Sequence, residues 1–178
     1  MFRSVAFTFG YLVVFALFTL NQMASAQDLS KFRPHVAINL ASYHLNSSTE
    51  FNEINPGIGI GFTAPSGIGR SEFGLEAGQY KNSLDSQSYY VMGSLDAEVA
   101  RITPNVAIRM GGFAGFSRYP GDANKFKDRG VPTIGNWVMA AGLQTAVRVN
   151  DSYDLRIRVM PAGDVADALF TAQIAIGF

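Results

Sequence analysis

A histidine, a carboxylate and a serine brought to one place are the minimum set for an activated hydroxyl nucleophile, and this chain offers one such set. His44, Glu53, Asn82 and Ser83 are scattered in sequence, but each stands where an alternating segment begins or ends. Hairpin topology would therefore gather them at one mouth. In that arrangement Ser83 is the reacting hydroxyl, His44 its base, and Asn82 or Glu53 the orienting or charge-stabilising group. The same residue types are also ordinary turn and rim residues that satisfy loop backbone. Metal chemistry has no comparable set: His35 and His44 are the only histidines and cysteine is absent, so neither a metal nor another cofactor is expected. The run Gly57-Ile58-Gly59-Ile60-Gly61 lacks the strand-turn-helix context and the following Lys-Ser/Thr of a phosphate loop.

Eight segments that alternate between apolar and polar residues must position these groups. The first, His35 to Leu45, shows Val36, Ile38 and Leu40. The second, Ile54 to Ala64, sets Ile54, Pro56, Ile58, Ile60 and Phe62 against Asn55, Gly57, Gly59, Gly61 and Thr63. Segments at Glu72 to Asn82 and Ser88 to Ala97 follow, then one carrying Val106 to Phe116, one carrying Trp137 to Val147, and one carrying Tyr153 to Val159. Phe170 to Phe178 closes the chain with Phe170, Ala172, Ile174, Ile176 and Phe178 on one face. Hydrophobic residues make up 48% and charged residues 16%, below the roughly 25–35% charged surface of a soluble domain. No stretch beyond the amino-terminal one is long and apolar enough for a spanning helix, so the fold class expected is all-β. It is an eight-stranded antiparallel transmembrane β-barrel of the outer-membrane type.

Alternation alone does not say which face points inward, and a soluble lipocalin-like barrel would bury the apolar one. The polar face decides the matter. It is studded with glycine, which suits a crowded lumen better than a solvated strand. It also carries Glu72, Glu76, Asp96, Arg109, Arg148, Asp154, Arg156 and Arg158, a two-signed set able to pair as a plug of salt bridges. With both termini on the periplasmic side, the short turns at Pro65-Ser66-Gly67, Thr103-Pro104-Asn105 and Asn150-Asp151 fall inside. The longer loops 46–53, 83–87, 118–133 and 162–167 fall outside, as such barrels require. Outward aromatics then form two belts, Tyr89, Phe116, Trp137 and Phe170 above, and Phe62, Phe73, Tyr153 and Phe178 below.

The ends of the chain agree with export. Arg3 precedes an apolar stretch from Val5 to Leu20, and Ala24-Ser25-Ala26 supplies a small-x-small cleavage site, so residues 1–26 are expected to be a signal peptide and 27–178 the barrel. The bacterial outer membrane is the expected location. The closing strand ending in Phe178 is expected to engage the barrel assembly machinery. With 14 basic and 14 acidic residues, net charge selects no partner, and no nucleic acid is expected.

Four stretches carry a family resemblance. Phe51-Asn52-Glu53-Ile54-Asn55-Pro56-Gly57-Ile58-Gly59-Ile60-Gly61-Phe62, Tyr80-Lys81-Asn82-Ser83, Gly112-Phe113-Ala114-Gly115 and Met160-Pro161-Ala162-Gly163 together resemble the outer-membrane lipid A palmitoyltransferase family (PagP). The resemblance implies catalytic groups at the extracellular rim and transfer of a palmitoyl chain from a phospholipid to lipid A. The family carries an Asp and a Ser after its third strand; here Asn82 stands at the Asp position and Ser83 at the Ser position. Two readings follow. One is a lipid acyltransferase or acyl hydrolase using Ser83, His44, Asn82 and Glu53, with an acyl-sized cavity. The other is a non-catalytic barrel that stabilises the envelope or binds at the cell surface. For the second, Arg118, Lys125, Lys127 and Arg129 of the longest loop, with Tyr119 and Phe126, could meet lipopolysaccharide phosphates, although Asp122 and Asp128 dilute that charge.

Overall fold

Every long segment of period-two alternation forms a strand that pairs with its chain neighbour, and the last pairs with the first. The computed structural model describes residues 31–128, 130–162 and 166–178; the expected leader, 1–26, lies outside them. Strands β1 (Arg33–Leu45), β2 (Ile54–Pro65), β3 (Ser71–Lys81), β4 (Gln87–Thr103) and β5 (Val106–Arg118) come first. A short helix α1 (Ala123–Lys127) and the two-residue strand β6 (Thr133–Ile134) follow, then β7 (Trp137–Val149), β8 (Tyr153–Met160) and β9 (Ala168–Gly177). The pairing β5–β7 joins the two ends of the sheet order β5-β4-β3-β2-β1-β9-β8-β7. β6 is a flap on β7 within the longest outer loop. The result is a closed, eight-stranded antiparallel barrel, with all pairings made within the unit Phe32–Phe178. Closure leaves no sheet edge unpaired, the condition for a β-structure to cross hydrocarbon.

The two faces sort as the alternation requires. Ile58 and Ile60 are 53% and 70% exposed, whereas Glu76, Arg109, Arg148, Asp154 and Arg156 are each at most 5% exposed. Ile38 lies opposite both Ile58 and Ile174, and Ile174 lies opposite Leu155. These four make one apolar stripe across β2, β1, β9 and β8. An uncharged exterior around a charged interior inverts the arrangement of a water-soluble barrel. With the even strand count, it makes this a barrel of the bacterial outer membrane. At the periplasmic end the rings of Phe62 and Phe73 meet edge to face at 5.8 Å, and Phe32 packs on Phe62 at 5.2 Å. At the other end Tyr43 joins the upper belt opposite Phe170.

Three differences from the sequence reading have local causes. β4 runs on to Thr103, past the expected Ala97, because β5 goes on pairing with it as far as Val106 opposite Thr103, and Glu98 ties that end to Arg70 of the β2–β3 connection (2.9 Å). Two bulges there, between Glu98 and Ala100 and between Arg101 and Thr103, break the alternation that would have announced the extension. The first periplasmic connection spans residues 66–70 rather than turning tightly at Pro65-Ser66-Gly67, with Gly67 and Gly69 at positive φ. The third difference is a bulge in β1 between Asn39 and Ala41, which resets the inward phase of that strand and determines the site.

The lumen glycines are there for room. At Gly61 an added Cβ would stand 2.8 Å from the His35 ring, and at Gly59 it would strike the Tyr90 hydroxyl.

Candidate functional site

The periplasmic half of the lumen is filled by a single network. Arg148 pairs with Asp154 (2.7 and 2.9 Å) and with both oxygens of Glu72 (3.0 and 2.9 Å). Arg109 adds an ion pair to Glu72 at 3.4 Å. Higher up, the Glu76 carboxylate accepts from Arg156 (2.8 Å), Gln173 (2.7 Å) and the Tyr90 hydroxyl (2.8 Å), and pairs with His35 at 3.1 Å. Arg158 donates to Gln144 (2.6 Å), lies 3.8 Å from Glu76 and stacks its guanidinium over Phe113. Gln144 in turn donates to Asp96 (3.0 Å). The eight charges that the alternation assigns to the polar strand faces thus belong to one plug. The neutral linkers Gln144, Gln173 and Tyr90 escaped the sequence reading, since a lone amide on a strand carries no signal of burial.

Above the plug the lumen opens. A cavity of about 170 Å³ reaches the extracellular rim, walled chiefly by Tyr80, Tyr90, Met92, Phe113, Val138 and Met160, with Arg158 at its floor. Phe113 and Val138 point inward on β5 and β7 and are each 4% exposed. Strict alternation places them there, but their apolar character marks them for the other face.

The rim residues do gather, in pairings other than Ser83 with His44. The β1 bulge brings Ser42 and His44 round to the cavity side, opposite Thr171 and Leu169 of β9. Without it His44 would share the phase of Ile38 and Leu40 on the lipid face. Ser83 Oγ is 3.2 Å from Ser42 Oγ, and its carbonyl accepts from Asn52 N–H at 3.1 Å. His44 stacks on Phe51 at 4.0 Å. Its backbone N–H, not its ring, donates to Glu53 at 3.3 Å. Its Nδ1 is buried without a partner. Ser83 is therefore bonded to a hydroxyl rather than to a base, and Glu53 holds backbone.

Asn82 has a different occupation. Fully buried at 0% exposure, its Oδ1 accepts from the N–H groups of Leu84 (2.8 Å) and Ser86 (3.1 Å), and its Nδ2 donates to Ser88 at 2.9 Å. The amide folds the β3–β4 connection around itself as an Asx turn. An aspartate lacks the donor that Ser88 receives. Beyond the turn Asp85, held at φ 62°, accepts from Lys81 (2.6 Å) and Asn52 (2.7 Å). Those two partners hold its carboxyl below the usual carboxylate range. Replacing Asn82 by Ala removes the acceptor of two part-buried N–H groups and the donor to the buried Ser88 hydroxyl. It should lower stability by about 1–3 kcal/mol, read as a fall in the urea midpoint of the chain folded in lipid.

Of the basic loop residues, Lys125 on α1 is paired with Asp122 at 2.7 Å. Arg118 ends β5 opposite Trp137. Lys127 ends α1. Among the described residues neither Arg118 nor Lys127 is in an ion pair. Arg129 lies outside the described residues.

No protein-family profile matches the chain, and no curated protein matches it. Among solved structures, the chain is similar to Neisserial surface protein A (NspA) at 16% identity and a TM-score of 0.48, covering 83% of this chain and 96% of that one. It is also similar to the Yersinia pestis outer membrane protein Ail, solved in a phospholipid bilayer nanodisc, at 12% identity and a TM-score of 0.43, covering 82% and 99%.

Proposed function

We propose that this outer-membrane barrel is non-catalytic and works by holding the outer leaflet through its extracellular rim. The observation that supports this reading is the bonding of Ser83 Oγ to Ser42 Oγ, with the imidazole of His44 stacked on Phe51 and Asn82 committed to its own turn. Glu53 accepts from the backbone of His44, so none of the four residues of the acyl-transfer reading has the partner its role requires. The partner in this proposal is lipopolysaccharide. Arg118 and Lys127, with Arg129, would meet its phosphates, and Tyr119 and Phe126 would give the loop an apolar foot.

Lipid A from cells expressing the wild-type chain, the Ser83→Ala variant or neither provides the test, read by mass spectrometry. The expected result is one acyl pattern in all three. An added acyl chain present with the wild type and absent with Ser83→Ala would reinstate the acyltransferase related to the lipid A palmitoyltransferases.

A further inference from the structure

Three buried side-chain polar atoms among the described residues lack a hydrogen-bond partner: Asn39 Nδ2, His44 Nδ1 and Asn55 Oδ1. All three residues line the outer-half cavity. They sit on the adjacent strands β1 and β2, where Ala41 pairs with Ile54 and Asn39 with Gly57. The remaining groups of the two amides are used: Asn39 Oδ1 accepts from Gln173 (3.0 Å) and Asn55 Nδ2 donates to the Asn52 carbonyl (3.2 Å). A native barrel rarely leaves buried polar atoms unpaired, and the donor of Asn39 and the acceptor of Asn55, on adjacent strands of one cavity wall, call for a common partner.

The adjoining wall is aromatic, with Tyr80 of β3 standing across Gly57 from Asn39. Phe126 packs on Tyr119 (4.5 Å), the Tyr119 and Tyr80 hydroxyls meet at 2.9 Å, and Tyr80 meets Tyr90 edge to face (5.9 Å). This chain of rings runs from the long outer loop down to the plug. We propose that the cavity is a binding site for a small, uncharged, hydroxyl-bearing aromatic molecule, its ring against Tyr80 and Tyr90 and its hydroxyl between Asn39 and Asn55.

Each part of that description has a cause. The size follows from the volume: a cavity of roughly 150 Å³ accommodates one benzene ring, so about 170 Å³ takes a substituted ring and not a long acyl chain. A hydroxyl follows from the orphan pair, because one oxygen can accept from Asn39 Nδ2 while its hydrogen goes to Asn55 Oδ1. Neutrality follows from the cations. Arg158 is engaged by Gln144, Glu76 and the face of Phe113, and Lys125 by Asp122, so neither is free to repay the desolvation of an anion.

The test is a titration of the full chain in lipid nanodiscs with 4-methylphenol, toluene and benzoate, followed by the side-chain amide NMR signals of Asn39 and Asn55. Expected are saturable shifts with 4-methylphenol and binding at least tenfold weaker with toluene and benzoate. The Asn39→Leu/Asn55→Leu double variant, which keeps the volume and removes the orphans, should abolish the preference for 4-methylphenol over toluene, read from the backbone amide shifts of the cavity strands. Ala140→Phe, which fills the cavity and leaves the polar wall intact, should abolish binding of both. Its dispersed spectrum would show that the barrel had folded. Shifts that rise linearly without saturation, equal affinity for 4-methylphenol and toluene, or binding that survives Ala140→Phe would each overturn the proposal. None of these outcomes depends on whether the rim binds lipopolysaccharide.

Discussion

Replacing Glu76 by Ala should cost about 3–5 kcal/mol of folding stability, the loss typical of removing one partner from a buried ion pair. Glu76 is the acceptor on which the upper part of the plug converges, bonded to Arg156, Gln173 and Tyr90 and paired with His35. Its removal leaves Arg156 with Asp154 as its one ion-pair partner and the Gln173 amide oxygen, each at 3.3 Å, and strands the positive charge of Arg158 beside it. Both guanidiniums are at least nine-tenths buried, so water cannot replace the lost carboxylate without opening the barrel. Urea unfolding in lipid vesicles, followed by the mobility difference between folded and unfolded barrel on gels, gives the measurement. Glu76→Gln is the control: it keeps the acceptor oxygen and the shape but not the charge, and should fall between wild type and Glu76→Ala. A loss below about 1 kcal/mol for Glu76→Ala would mean that the lumen is wet enough to screen the pairs.

The second large effect lies on the other face. Ile58→Arg should destabilise the folded state by about 2–4 kcal/mol in a bilayer, the cost of a guanidinium near the midplane of a barrel exterior. Ile58 stands on the stripe formed with Ile38, Ile174 and Leu155, so the charge would have no polar neighbour within the sheet. Ile68, in the first periplasmic connection and 69% exposed, makes the matched control. Ile68→Arg should change stability by less than about 0.5 kcal/mol, as for an ordinary surface position. Equal effects at the two positions would show that the exterior of β2 meets water rather than hydrocarbon, and the assignment to a membrane would fail with it.

Ile58 and Glu76 both occupy positions that the residue pattern dictates. The side of β2 on which Ile58 sits, and the side of β3 on which Glu76 sits, follow from a period of two, because successive strand residues point to opposite faces. Which face is interior follows from cost, since charges that cannot be solvated must pair. Strand count, closure and the charged members of the plug are consequences of those rules, and were legible; its neutral linkers were not. His44 was not. Its candidacy rests on residue type, and its direction depends on the bulge at Leu40 that the alternation of Val36, Ile38 and Leu40 conceals.

Alternation is enough to specify an eight-stranded tube with a greasy outside and a paired, charged inside, because each strand reports its faces locally, residue by residue. The contacts of the rim groups were set by long-range packing. It turned His44 toward the cavity, gave Ser83 a serine for a neighbour and used Asn82 to close a turn. It also set three unpartnered polar atoms against a wall of aromatic rings in a space the size of one small molecule. Those outcomes depend on distances between residues remote in the chain, fixed by a one-residue insertion and by loop packing, and no periodicity encodes them.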